Sequence, residues 1–197
     1  MIELERRTKE TCVRVALDLT PGAVKVRTGI GFLDHLLTAL AYHGGLSLEL
    51  SCEGDLHVDD HHSAEDAGLM LGKALRAALG EGAGRARFGY AYAPLDEALA
   101  RAVVDLSGRP YAAVELGLAR PMIGALAAEN VGHVLRSLAN AAGVTIHVDL
   151  LRGENDHHRA EAAFKALALA LRQALAPSEV YGGAAGSTKG VLDRTQE

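Results

Sequence analysis

The nineteen residues His61–Leu79, HHSAEDAGLMLGKALRAAL, recur 96 positions later at 157–175 as HHRAEAAFKALALALRQAL, with eleven positions identical. Agreement in Ala and Leu is cheap between helices, but a second His-His-x-Ala-Glu is not. The match continues upstream in the same order. Residues 35–41 (HLLTALA) align with 133–139 (HVLRSLA), and each stretch runs on to a glycine, Gly45 or Gly143, and then a β-rich run, 46–50 or 144–148. Farther back, 15–19 (VALDL) resembles 102–106 (AVVDL), and Glu10 falls opposite Glu97. The chain therefore reads as one unit written twice, residues 1–86 and 87–180, packed as one globular unit and followed by a tail, 181–197.

Each copy has the same order of elements. Apolar runs at 10–19 and 97–106 read as strands, and 23–27 and 111–116 supply partners across turns at Gly22 and Gly108-Arg109-Pro110. A helix follows near 32–42 and 129–142, with Leu33, Leu36, Leu37 and Leu40 in one and Val131, Val134, Leu135 and Leu138 in the other at helical spacing. Another strand and the His-His helix complete the unit. Helices that need a sheet to cover give an α+β fold, two units of a small sheet and two helices.

Composition excludes several function classes. There are 20 Lys+Arg against 25 Asp+Glu, a net charge of −5, and no basic block, which argues against a nucleic-acid surface. No run of about 18 apolar residues is present, so no membrane span is expected. The N-terminal MIELERR lacks the apolar stretch of a secretory signal, so a cytoplasmic location is expected. Cys12 and Cys52 match neither a disulfide framework nor a thiolate metal site and read as buried apolar residues.

The informative residues are the nine histidines. On a helix, residues four apart share a face and adjacent residues diverge by about 100°. His61 and Glu65 therefore point one way and His62 another; His157, Glu161 and His158 repeat the pattern. One ion cannot collect both adjacent histidines and the glutamate, whereas two ions can be bridged by them. The duplication suggests His61, Glu65 and His35 on one ion and His157, Glu161 and His133 on the other. His62 and His158 would each cross to the opposite ion, within the chain or from a neighbouring subunit. Nitrogen and oxygen donors without thiolate suit Mn, Fe, Co or Zn. Di-metal helix bundles use Glu-x-x-His ligands instead. Asp34, Asp59, Asp60, Asp66 and Asp156 flank the ligands, either orienting imidazoles or capping helices. His43, His57 and His147 have no counterpart in the other copy and read as ordinary surface or core residues. Arg87, Arg109 and the tail GSTKG (186–190) combine cations and hydroxyls with glycine, which suits a phosphate, but the Walker spacing is absent. The glycine-rich run at 182–186 reads as a linker.

Several ordered motifs together resemble one family: GFLDH (31–35), DDHHSAED (59–66), PLDEA (94–98), DLSGRP (105–110), GENDHH (153–158) and STKG (187–190). The chain closely resembles the imidazoleglycerol-phosphate dehydratases of histidine biosynthesis, over nearly its whole length. The resemblance implies a duplicated α+β fold, two Mn2+ ions per active site, and a 24-subunit particle built from trimers with sites between subunits. It implies metal ligation by His35, His61, His62, Glu65, His133, His157, His158 and Glu161. It also implies substrate contacts from Glu10, Arg87, Arg109, Ser187 and Lys189, with Glu10 moving protons. The reaction implied is loss of water from D-erythro-imidazole glycerol phosphate to give imidazole acetol phosphate. Two departures stand out. The family usually has an acidic residue before the histidine at 133 and an aromatic after it, where this chain has Gly132 and Val134, and residues 121–130 match poorly, so nothing is carried over from them.

Overall fold

In the computed structural model, residues 1–184, Gly186 and Ser187 are described. The first half runs β1 (Ile2–Arg7), β2 (Thr11–Asp18), β3 (Val24–Arg27), α1 (Gly31–Gly44), β4 (Ser47–Gly54) and α2 (His61–Leu79). The second repeats that order as β5 (Phe88–Leu95), β6 (Ala98–Asp105), β7 (Tyr111–Glu115), α3 (Ala128–Ala142), β10 (Thr145–Arg152) and α4 (Asp156–Leu175). A small hairpin, β8 (Met122–Ile123) and β9 (Leu126–Ala127), precedes α3 and has no counterpart in the first half.

Sheet topology repeats as well. One four-stranded sheet has the order β1-β2-β4-β3 and the other β5-β6-β10-β7, each with its last strand parallel to its neighbour and the others antiparallel. Along β2, Val13, Val15 and Leu17 are buried while Arg14 faces out; along β6, Ala98, Ala100, Ala102 and Val104 are buried while Arg101 and Val103 face out. This period of two gives each sheet one inward and one outward face. The edge strands β1 and β5 escaped the reading of the sequence. β1 alternates too many charges to look apolar, and β5 contains Gly89 and Pro94, which are tolerated because an edge strand leaves one side unpaired.

The helices lie between the two sheets. α2 covers β1, β2 and β4 while α1 lies on β3; α4 covers β5 and β6 while α3 lies on β7. Across the middle, α2 packs along α3 and α1 along α4, so every helix pair joins one half to the other. Leu33, Leu36, Leu37, Leu135, Leu138, Phe164 and Leu167 are fully buried in that layer, within one continuous core. Burying a side chain such as Phe164 contributes about 2–3 kcal/mol. Approach is closest between α2 and α3, where β-carbons on Gly68 and Gly72 would stand 2.8 Å from the Val134 carbonyl oxygen and 2.4 Å from that of Leu138. α1 and α3 end alike, at Gly45 and Gly143, both with φ of 67°, a left-handed turn that glycine adopts without strain. Each chain reversal leads straight into the next strand.

Candidate metal centres and anion site

In both His-His motifs the residue two before the first histidine accepts that histidine's backbone N–H. Asp59 Oδ1 accepts the His61 backbone N–H at 2.9 Å, and Asn155 Oδ1 accepts that of His157 at 2.9 Å. Fixing the first turn this way settles where the side chains one residue apart must diverge.

His35, His157 and Glu161 form one group and His61, Glu65 and His133 another; within each, one ligand atom per residue lies within 4.8 Å of the others. The expected partners of His35 and His133 are therefore exchanged. His35 on α1 joins the second-half motif and His133 on α3 joins the first, because the helices pair across the halves rather than within them. Spacing along a sequence fixes which face a residue takes, not which helix that face meets.

The two groups are similar but not identical. His35 Nε2 lies 2.9 Å from Glu161 Oε2 and His157 Nε2 3.3 Å from the same oxygen. Phe32 covers this group, its ring centroid 4.8 Å from that of His157. Lys165 Nζ sits 2.6 Å from Glu161 Oε1. Burial works against ionisation of Glu161, yet the Lys165 ammonium and His35 outweigh it and hold the carboxyl at about 2. In the other group His133 Nε2 is 3.2 Å from Glu65 Oε1, and the His61 and His133 rings stack at 4.8 Å. Leu69 stands where Lys165 stands in the second copy, so Glu65 lacks that ammonium. His61 Nδ1 instead meets Asn130 Oδ1 at 3.1 Å. Asn130 lies in the segment the family motifs left blank and went unnoticed in the sequence. Two imidazoles and a carboxylate in each group fit a divalent first-row ion.

His62 and His158 join neither group within the chain. His62 Nδ1 is held by Asp55 at 3.0 Å, with Nε2 4.0 Å from Glu10 Oε1. His158 Nδ1 is held by Glu97 at 2.7 Å, with Nε2 3.9 Å from Asp96. Carboxylate hydrogen bonds raise both imidazoles above their ordinary 6.5. Glu97 Oε1 also accepts the backbone N–H of Asn155 at 2.8 Å, and that bond, with the one from His158, lowers its carboxyl to about 2. The five flanking aspartates orient no imidazole. Asp34 ties Thr28, Asp59 caps α2, Asp60 accepts the Ala127 N–H, Asp66 holds Thr11 and Arg6, and Asp156 accepts from Ala119 and Arg120. Through Thr11, Asp66 anchors the turn that carries Glu10, whose N–H donates to Thr8 Oγ1 at 3.1 Å.

The candidate anion residues gather at the other end of the second half. Arg87 has φ of 70°, an uncommon left-handed conformation outside glycine, pinned by its N–H on Ala174 O at 3.0 Å. Its guanidinium grips Asp105 through Nε at 2.7 Å and Nη2 at 3.2 Å, and donates to the Gly186 carbonyl through Nη1. The glycine run is thus no linker where it is described: Gly186 is buried beside Tyr181 and bonded to Arg87. The Arg109 backbone is fixed by Ser107 and Thr145 hydroxyls. Ser187 follows Gly186, half-buried; Lys189 lies outside the described residues.

A family model described as imidazoleglycerol-phosphate dehydratase matches residues 28–171. The chain belongs to the imidazoleglycerol-phosphate dehydratase family. An imidazoleglycerol-phosphate dehydratase of Candida glabrata is 54% identical over 211 residues, covering 98% of this chain and all of that one. The enzyme of Pyricularia oryzae is 60% identical over 169 residues, 86% of this chain and 75% of its own. Among solved structures, the Pyrococcus furiosus dehydratase aligns with a TM-score of 0.82 at 40% identity, covering 96% of this chain and all of that one. The Staphylococcus aureus enzyme gives 0.78 at 37% identity, covering 90% and 100%. The duplicated α+β fold is thus that of the family, and the chain is a hydro-lyase of histidine biosynthesis. Dehydratases of this family are metal-dependent, and the two His-His-Glu groups are where this chain offers donors. Among the described residues no helix is long and apolar enough to cross a membrane.

Proposed function

We propose that this chain dehydrates D-erythro-imidazole glycerol phosphate with two Mn2+ ions, held by His35, His157 and Glu161 and by His61, Glu65 and His133. The observation that carries this reading is the pair of equivalent three-donor groups assembled by helices from opposite halves. Hydroxide must leave the carbon bonded to the imidazole ring and a proton must leave the next carbon; the resulting enol becomes the ketone. When bound, the metals would supply Lewis-acid stabilisation to the ring as that charge develops. Glu10 is exposed beside His62 on a turn pinned to α2, and it moves the proton. Arg87, Arg109, Ser187 and Lys189 hold the phosphate, with Asp105 keeping the Arg87 guanidinium in place.

Distance supports a shared site. The Arg87 N–H bonds Ala174, 17 residues along α4 from His157, or about 25 Å of helix. Gly108 lies against Gly143, 10 residues and about 15 Å of α3 beyond His133. The substrate, an imidazole ring with a three-carbon chain ending in a phosphate, spans about 10 Å or less. These separations support a site in which the metal groups of one chain meet the arginines of another. His62 and His158, held by Asp55 and Glu97 with Nε2 turned away from the local groups, complete metal sites across the same contacts. A 24-subunit assembly in the cytoplasm satisfies this geometry.

The Mn-loaded protein should convert imidazole glycerol phosphate to imidazole acetol phosphate. Glu10→Gln should keep both metals and lose about 10²–10⁴-fold in kcat. A variant with near-parental turnover would remove Glu10 from proton transfer, and a loaded parent without product would overturn the assignment.

A further inference from the structure

The outward face of the first sheet carries two adjacent rows of side chains. Across β1, β2, β4 and β3, Glu3, Ala16, Glu49 and Lys25 stand in one row and Glu5, Arg14, Ser51 and Arg27 in the next. Six of the eight are charged and exposed, whereas Ala16 and Ser51, on the two central strands, are small and half-buried. Two cross-strand ion pairs decide which way the long central side chains lean. Arg14 Nε donates to Glu5 Oε2 at 2.9 Å and is drawn towards the edge strand β1. Lys25 Nζ donates to Glu49 Oε1 at 2.8 Å and draws Glu49 towards the other edge, β3. The centre of the face is left as a hollow of about 850 Å³, floored by Ala16 and Ser51.

This hollow does not come with the fold. In the second sheet Val103 stands in the place of Ala16 and Asp149 in the place of Ser51. Arg101, the counterpart of Arg14, turns inward to Asp149, its Nη2 at 2.8 Å from Oδ2, and lies over the centre of its sheet. One topology thus keeps its centre open in the first half and closed in the second. The difference is the carboxylate each arginine meets, Glu5 on an edge strand or Asp149 on a central one.

The charges around the hollow select a class of ligand. Arg14 and Arg27 flank the Ser51 hydroxyl two strand spacings apart, about 10 Å, which suits a carboxylate. Glu3 and Glu49 flank Ala16 at the same spacing, which suits an ammonium group. Arg27 and Glu3 enter no ion pair among the described residues, so each row keeps one uncommitted charge. Arg14, Lys25 and Arg27 balance Glu3, Glu5 and Glu49. A simple anion or cation in the hollow therefore meets as much repulsion as attraction, while a zwitterion meets opposite charge at both ends. The rows lie two residues apart, about 7 Å. An α-amino acid with a charge-assisted hydrogen bond of about 2.8 Å at each end spans about 8 Å.

We propose that the hollow over Ala16 and Ser51 binds a free α-amino acid, its carboxylate between Arg14 and Arg27 and its ammonium group between Glu3 and Glu49. The floor belongs to β2 and β4, whose other face is covered by α2, so the hollow stands across the sheet from His61 and Glu65. The site does not depend on the proposed reaction.

Calorimetric titration of the Mn-loaded full chain with each of the standard L-amino acids tests the site. At least one should bind with a Kd below about 1 mM. The corresponding amine and the corresponding deaminated acid, each lacking one charge, should bind at least about tenfold more weakly. Ala16→Leu, which fills the floor, and Arg27→Gln, which removes a guanidinium, should each weaken binding at least about tenfold. Mn2+ content, particle size and turnover should stay at the parental level in both. Binding of none of the amino acids would overturn the proposal. So would equal binding of the amine or the acid, which marks a plain cation or anion site. Binding that both variants leave unchanged, or lose only together with turnover, would place the ligand at the metal groups and overturn it as well.

Discussion

A β-carbon at Gly72 would stand 2.4 Å from the Leu138 carbonyl oxygen, 2.8 Å from the Ala141 β-carbon and 3.0 Å from the Ala142 nitrogen. These are backbone and short side-chain atoms that cannot rotate away, so Gly72→Ala must part α2 from α3 by about 1 Å. Overpacking of this kind costs about 1–3 kcal/mol, against which alanine returns about 1 kcal/mol of helix propensity. The net loss, about 0–2 kcal/mol, lowers Tm by up to roughly 8 °C in a domain of this size. The same separation acts on the candidate metal group two turns earlier, where Glu65 and His133 face each other across the helix pair at 3.2 Å. Metal–ligand distances tolerate about 0.2 Å, so Mn2+ affinity at that group should fall about tenfold or more. The group on α1 and α4 should be unaffected. Calorimetry of the metal-free protein and equilibrium dialysis of Mn2+ read the two effects. Gly31→Ala, which would meet nothing within 4 Å, is the control. A Gly72→Ala protein that melts at or above the parent and binds both ions with unchanged affinity would refute the link from helix spacing to the metal group.

Other expectations are equally specific. Asn130→Ala removes the acceptor 3.1 Å from His61 Nδ1 and should weaken Mn2+ at that group about 10–100-fold while Asn130→Asp retains binding, as competition with a chelating dye would show. Equal loss in both variants would contradict the orienting role. Glu97, lowered to about 2, stabilises the fold above its ordinary 4.5 and loses that effect as pH falls toward 2; His158, raised above 6.5, contributes below 6.5 and loses it as pH rises through its folded value. The melting difference between the metal-free parent and Glu97→Gln should therefore peak between pH 4.5 and 6.5. A difference independent of pH from 2 to 8 would show that these bonds do not act. Burial lifts the Cys52 thiol to about 11, and Cys12 is also buried. An aromatic disulfide reagent at about pH 8 should leave the native protein unlabelled and titrate both thiols once urea unfolds it; rapid native labelling would contradict this.

The duplication made most of the fold legible. Two His-His helices, two leucine-rich helices and their capping glycines lie within a few residues of where the repeat places them. Pairing of helices did not follow, because Leu33 and Leu135 announce an apolar face without naming the face it meets. Hence His35 and His133 each meet the His-His motif of the opposite half from the one their place in the repeat suggests. Asn130 and the β8–β9 hairpin fall where the copies diverge, so no internal comparison reaches them. Lys165 belongs to no motif; its contact with Glu161 becomes clear once α4 is helical and the two lie four residues apart. The flanking aspartates illustrate the reverse. Their charge beside histidines leaves imidazole orientation and helix capping both open in the sequence, and in the structure they satisfy backbone and side-chain donors of the surrounding turns.

The proposed enzyme is a metal-dependent dehydratase completed between chains. Its most direct test is to strip the protein with a chelator, add back Mn2+ stepwise, and record turnover of imidazole glycerol phosphate, bound metal and particle size in the same samples. Turnover should be absent from the stripped protein and return together with the large particle, saturating at two Mn2+ per chain. Turnover by stripped protein, or by a monomer loaded with metal, would contradict the account.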